Sequence, residues 1–393
     1  MKDLNCLTYE EKKILAISHV GWLTMFYKLT PLLFLTISLT STENIIFIEK
    51  IDAIAMIISV IIGYVIDGIF FEKIWYKFFT KFVLVLFMVT LGFILFADIY
   101  IKLAAVKLLI EVILLFMSAY GAMYNEIVKS KLDVVYVFII SIFNASFILW
   151  NVFNDVIVSY YTSFIFSGIL WLVVQYFLLL KKKDRIKMFL VRGSWKDFYE
   201  LCVRAILRKS GAIAYESIAT FGSFVVLSGV RKDFALIVYI LLRKTPTFSV
   251  LGCFVTQVKR VLLSGIEVDL RKLSISMFMF IGVEVFVVTV FAVAVSQGGF
   301  SFDWGTMILL VMSQIAVVWV QMNSDLRQLF LERGMYFKEV LGWRIVFALF
   351  VLGCRLVMST AVVAYVPQVF SYSLLGYIYG MYLKKYGIKY KTV

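Results

Sequence analysis

With 393 residues, 62% of them hydrophobic and 16% charged, and a mean hydropathy of +0.95, the chain lies far from soluble domains, which are ~45–50% apolar and ~25% charged. That balance excludes a soluble enzyme, a disordered protein and a nucleic-acid-binding module. The net charge of +14 must therefore be explained by its placement relative to a membrane. At ~20 apolar residues per crossing, the apolar content suffices for roughly twelve membrane helices, and what remains forms no stretch long enough for a separate soluble domain. The predicted fold class is an all-α integral membrane protein. The four cysteines (Cys6, Cys202, Cys253, Cys354) lack metal-site or disulfide spacing, and His19 is the one histidine. No metal and no cofactor are expected.

In chain order, the apolar runs fall at 14–39, 51–71, 82–99, 103–122, 133–154, 160–180, 211–230, 234–256, 273–296, 304–323, 344–365 and 367–383. Thr8-Tyr9-Glu10-Glu11 predicts a capped helix start, with Thr8 and Glu11 satisfying backbone donors reciprocally. The N-terminus has no cleavable signal pattern, so the first run is expected to remain as a helix. The outer connections are short, which counts against sugar-polymerising or ligating membrane enzymes with a sizeable outer loop for their chemistry. No catalytic residue is expected.

The basic residues give the orientation. With the N-terminus inside, 30 of the 39 lysines and arginines fall in cytoplasmic segments and five (Lys50, Lys102, Lys107, Arg231, Lys232) in outer ones. Four more (Lys28, Arg243, Lys244, Arg355) fall inside spans. Both termini are then cytoplasmic, and the excess positive charge faces anionic lipid headgroups. The chain also halves itself: a six-helix half at 1–180, a basic segment at 181–210 and a second six-helix half at 211–393. The middle segment carries Phe189, Leu190, Trp195, Phe198, Tyr199, Leu201 and Cys202 among many cations and predicts an amphipathic helix on the inner membrane surface. Six-plus-six architecture belongs to transporters that handle substrate between the halves.

Charges at a helix centre cost ~2.5–3.5 kcal/mol each on insertion scales and so ask for a partner or a wet cavity. Lys28 lies three residues before Pro31, and Arg243-Lys244 immediately precede Thr245-Pro246. Arg355 lies midway along the eleventh run. One reading pairs these cations with Glu111, Glu216 and Glu284. The other turns Lys28, Arg243, Lys244 and Arg355 to a cavity that binds an anionic group such as a phosphate or pyrophosphate. The three glutamates are in turn candidates for ion coupling, as buried carboxyls that carry protons, or for structural hydrogen bonds. Asn144, Asn151 and Asn154 are predicted to share a face of the fifth span, and Gln314 and Gln321 one of the tenth. Such stripes either bind sugar hydroxyls or join helices.

Three stretches carry a family resemblance: FVTQVKRVLLSGIEVDLRKLS (254–274), QMNSDLRQLFLERGMYFKEVLGWR (321–344) and VPQVFSYSLLGYIYGMYLKKYG (366–387). With them, the chain resembles polysaccharide flippases of the multidrug/oligosaccharidyl-lipid/polysaccharide exporter (MOP) superfamily. The resemblance implies a bacterial inner-membrane transporter that flips an undecaprenyl-pyrophosphate-linked oligosaccharide, an O-antigen or capsule repeat unit, by alternating access. Its implied partners are that lipid-linked substrate, membrane lipids and other polysaccharide-assembly membrane proteins. Related flippases place cavity cations on the first and eighth spans, which here hold Lys28 and Arg243 or Lys244. A second, smaller resemblance competes: GYVIDG (63–68) is similar to the Gly-x-x-x-Asp-Arg signal of the major facilitator superfamily, with Gly63 and Asp67 in place but Gly68 where Arg is expected. It implies a proton-coupled exporter of small molecules or drugs.

The orientation is testable with reporter fusions. Fusions after residues 190 and 390 should report the cytoplasm and those after 43 and 300 the opposite side; reversal at any of the four sites refutes the topology.

Overall fold

The protein is described by a computed structural model covering residues 7–19, 42–70, 79–124, 126–179, 193–232, 247–264, 268–279, 281, 304–334, 336–358 and 360–388. All regular structure among these residues is helical. The helices are α1 (Tyr9–His19), α2 (Thr42–Phe70), α3 (Phe79–Phe96), α4 (Ile99–Tyr124), α5 (Glu126–Leu149), α6 (Val156–Leu179), α7 (Trp195–Tyr215), α8 (Ser223–Val230), α9 (Thr247–Ser264), α10 (Trp304–Arg333), α11 (Phe337–Val357) and α12 (Val366–Lys385). A π-helical segment, Glu216–Gly222, joins α7 to α8, and a 3₁₀ turn, Ala361–Ala364, precedes α12.

Four stretches are long and apolar enough to cross a membrane among the described residues: Val156–Leu178, Trp195–Val230, Trp304–Arg333 and Phe337–Val357. Large apolar side chains such as Phe87, Met88, Ile142, Phe177, Ile308 and Leu349 stay exposed on the helices. Water would penalise so much exposed apolar surface, whereas lipid accepts it. The chain is a multi-pass membrane protein.

It divides into two compact units, one made of Met1–Leu29 with Ser217–Val393 and the other of Thr30–Glu216. In the 30–216 unit, α4 packs on α2, α3 and α6, and α6 also packs on α5. The connections at 97–98 and 150–155 are short, so neighbouring helices run antiparallel. In the other unit α1 packs on α9, and α10 packs closely along α12. The two helices pack at ordinary contact distance: a Cβ added at Gly376 would lie 3.9 Å from the Ser324 backbone, and one at Gly380 would lie 3.3 Å from the flexible Arg327 guanidinium.

The local signals act as their chemistry requires. The Thr8 amide donates to Glu11 Oε2 at 2.8 Å and the Glu11 amide to Thr8 Oγ1 at 3.3 Å, which closes the expected capping box. Pro367 sits in the first turn of α12, where a missing N–H costs nothing. Helix limits differ from the apolar runs at instructive places. α2 begins at Thr42, so Glu49 and Lys50, ahead of the 51–71 run, are helical instead of lying at an outer connection. α4 begins at Ile99, and Lys107 therefore lies inside a helix and buried, not in an outer segment. α5 ends at Leu149, whereas the apolar run continued to 154. The 324–344 stretch, expected as a cytoplasmic connection, is mostly helix, with a turn only around Gly334–Tyr336.

The basic 181–210 segment is described from Gly193 onward. Ser194 and Asp197 form a second capping box that starts α7. The helix does not end at 210 but runs through the π segment to Val230. Phe198, Leu201 and Ala205 pack into a core with Val65, Ile66, Phe82, Val112 and Met117, while Trp195 and Tyr199 stay exposed. The Lys81 ammonium donates to the Gly193 carbonyl and lies 5.0 Å from the centre of the Trp195 ring, fixing the start of α7. Phe198→Ala should cost about 3 kcal/mol of stability through lost burial and a cavity, read as a lower melting temperature of the purified protein. Tyr199→Ala on the opposite face should leave the melt unchanged.

Candidate functional site

The strongest concentration of chemistry among the described residues lies inside the 30–216 unit. Lys107 on α4 is 7% exposed at its side chain, and its ammonium lies 3.2 Å from Asp52 Oδ1 on α2 and 3.3 Å from Glu111 Oε1 one turn further along α4. The other oxygen of Asp52 accepts a hydrogen bond of 2.6 Å from the Tyr160 hydroxyl on α6. The Phe164 ring, one turn beyond Tyr160, lies 5.0 Å from the ammonium and packs edge-on to Tyr160 at 5.0 Å. Glu49, fully buried on the turn of α2 before Asp52, acts electrostatically on Tyr160. Three helices thus converge on one nitrogen.

By helix rise Asp52 is ~15 Å from the start of α2, Lys107 ~12 Å from the start of α4 and Tyr160 ~6 Å from the start of α6. Asp52 and Lys107 are buried, so their charges compensate each other. The Lys107 ammonium faces the carboxyl groups of Asp52 and Glu111, with Glu49 buried one turn before Asp52 on α2.

The other expected site residues fall in different places. Asn144 is fully buried on α5, and neither atom of its amide has a hydrogen-bond partner among the described residues. Asn151 and Asn154 do not share its face. The helix ends at Leu149, and both asparagines adopt the left-handed backbone (φ 44° and 55°) that asparagine tolerates in turns. Asn151 accepts from Ser159 at 3.4 Å there. The local turn overrides the helical period. Gln314 and Gln321 are both buried on α10, two turns apart. Glu111 is the acid paired with Lys107, and Glu216 begins the π segment, half-buried. Lys28, Arg243, Lys244 and Glu284 lie outside the described residues.

Arg355 is fully buried. Its guanidinium donates to the Ala219 carbonyl in the π segment, to Ser223 Oγ at 3.3 Å and to the Ala364 carbonyl at 2.7 Å. A π turn shifts backbone bonds out of register and exposes carbonyls, and Arg355 meets one of them. Gly222 is required in that turn, since an added Cβ would stand 2.8 Å from the Ser217 carbonyl oxygen.

Sequence reasoning missed two groups. Lys107 and Asp52 stand near the starts of the runs at 103–122 and 51–71, where a charge reads as interfacial. The visible signal was the Lys107–Glu111 spacing of four, which places opposite charges on one helix face. The second group surrounds Arg344, buried on α11. Its guanidinium donates to Asp325 at 2.7 Å, to Gln328 and to the Tyr379 hydroxyl at 3.2 Å, and lies 5.2 Å from the Tyr372 ring centre. Gln328 donates onward to Glu332 at 2.6 Å. Gln321, Asp325, Gln328 and Glu332 recur at helical spacing along α10, which was legible in QMNSDLRQLFLERG.

Neither a family model nor a curated relative matches the sequence. Solved structures do. The chain is similar to a MOP superfamily transporter from Pyrococcus furiosus Vc1, described as having a binding pocket of reverse polarity that suggests a different function, with a TM-score of 0.63, 11% identity and coverage of 96% of this chain and 95% of that one. It is also similar to a MATE crystallised in complex with Br-NRF, with a TM-score of 0.54, 12% identity and coverage of 96% and 97%. The facilitator-type alternative is corrected by this likeness: Gly63 and Asp67 simply lie near the end of α2 in a different fold. The chain has the fold of MOP transporters.

Removing one partner of a buried pair strands the other. Asp52→Ala should therefore destabilise the protein by roughly 3–5 kcal/mol, and Tyr160→Phe by about 1–2 kcal/mol. Thermal unfolding in detergent checks both, and a double variant losing no more than Asp52→Ala alone would show that the two side chains act together.

Proposed function

We propose that this chain is an alternating-access transporter that flips an undecaprenyl-pyrophosphate-linked oligosaccharide, an O-antigen or capsule repeat unit, from the cytoplasmic to the outer leaflet of a bacterial inner membrane. The observation that carries the transporter reading is the MOP transporter fold extending over 96% of the chain. The lipid-linked substrate rests on charge. Lys28, Arg243 and Lys244 stand in apolar runs next to Pro31 or Pro246, where a broken helix can line a cavity. Adjacent residues point about 100° apart on a helix, so a single acid neutralises Arg243 and Lys244 poorly. The phosphates of a sugar diphosphate lipid supply the missing counter-charge. Arg355 serves this role less well, because its donors are engaged by Ala219, Ser223 and Ala364. Asn144, whose buried amide has no hydrogen-bond partner among the described residues, is the polar residue best prepared to meet a sugar hydroxyl, and Gln314, Gln321 and Asn151 are further candidates.

Coupling falls to the acids. Glu111 gains support from its place beside Lys107 and Asp52, and Glu216 and Glu284 complete the set. A second reading, proton-coupled export of small molecules, is favoured by one observation, the shared fold with a MATE in complex with Br-NRF.

Proteoliposomes carrying a fluorescent short-chain polyprenyl-pyrophosphate oligosaccharide distinguish the two. The flippase reading expects the label to cross the bilayer in a protein-dependent way. Arg243→Ala and Lys28→Ala should slow it about tenfold or more, the loss of one charged contact worth ~1.4 kcal/mol or more, while Lys28→Arg should retain part of the rate. Glu111→Gln should stay folded and lose the response to a pH gradient. If the label stays put while lipophilic small molecules follow the gradient, the second reading replaces the first.

A further inference from the structure

We infer that Lys107 is a built-in cation: its tethered ammonium fills a monovalent-cation site made by Asp52 and Glu111, and the 30–216 unit thereby dispenses with a bound metal ion at that place. The geometry is that of an ion in a site and not of a surface pair. The nitrogen meets carboxylate oxygens from two different helices at 3.2 and 3.3 Å. A ring face closes one side, with Phe164 at 5.0 Å, an arrangement that favours any compact cation. Asp52 is held in place from behind by the 2.6 Å hydrogen bond from Tyr160, so it is oriented whether or not the nitrogen is present. A lysine that merely neutralised one acid would need no second carboxylate from its own helix and no aromatic lid.

Around the cluster, α2 brings Glu49, Lys50 and Asp52, α4 brings Lys102, Lys107 and Glu111, and α6 brings Tyr160 and Tyr161. The charged residue of α3, Lys81, is engaged with Gly193 instead. The charged residues of α5 all precede Val134, at the far end of that helix. Among the described residues, Lys107 is the cation that pairs with both Asp52 and Glu111. Were it shortened to alanine, Asp52 and Glu111 would face a space the size of the lysine head with Glu49 one turn away. Buried negative charge without a counter-ion is strongly disfavoured, and a small cation from solution would take the vacated position.

The test reads ion binding and uses no transport, so its outcome is separate from the flippase reading. Purified full-length protein is melted in matched sodium chloride and choline chloride. The wild type should melt alike in both. Lys107→Ala should melt lower than the wild type in choline and recover with sodium, saturably in the millimolar range, by roughly 3 °C or more. Adding Asp52→Asn should abolish the recovery. A sodium-dependent shift in the wild type overturns the inference, and so does a folded Lys107→Ala protein indifferent to sodium or a recovery that survives Asp52→Asn. If Lys107→Ala does not survive choline, it is purified in sodium and the ion is then withdrawn; unfolding equally in both salts also overturns it.

Discussion

A charge buried among membrane helices must find its counter-charge within the protein, and the organisation of the 30–216 unit follows from that constraint. Lys107 can be buried only if α2 delivers Asp52 to within about a hydrogen-bond length of it, and Asp52 in turn is held by Tyr160 from α6. Apolar packing alone fixes helix register weakly, since one leucine row fits against another at several offsets. A charge triad does not slide, because a shift of one turn, about 5.4 Å, would strand each member. The short connections at 97–98 and 150–155 then bring α3 and α5 into place alongside.

The same constraint is met differently in the other unit. Arg344 uses a mixed set of partners on α10 and α12, namely a carboxylate, an amide and a tyrosine. Arg355 uses none of the acids and donates to backbone carbonyls and a serine. Its guanidinium therefore ties the π segment to the turn before α12. Arginine suits both settings because its planar fork satisfies several acceptors while remaining charged. Where α10 packs along α12, Arg327 donates to the Gly376 carbonyl.

Each compact unit has its own buried ion pair, Lys107 with Asp52 in one and Arg344 with Asp325 in the other. The boundary between the two units falls at Glu216 and Ser217, inside the π segment, where the regular hydrogen-bond ladder is already relaxed.

What the sequence by itself determined was whatever depends on local chemistry or on sums over long windows. Hydropathy pointed to an all-helical membrane protein, and Thr8 and Glu11 announced a helix start. Gln314 and Gln321 were legible as sharing a face because their spacing matches the helix period. Only the tertiary structure decided which buried polar groups meet. Lys107 and Asp52 are 55 residues apart, and no window joins them. The acceptors of Arg355 were not legible, because backbone carbonyls look the same at every position of a sequence. Asn151 and Asn154 were misplaced for the converse reason: a turn after Leu149 cancelled a periodicity that holds only while the helix continues. Burial makes a charge costly wherever it lies, but the identity of the group that relieves that cost is a property of three-dimensional proximity.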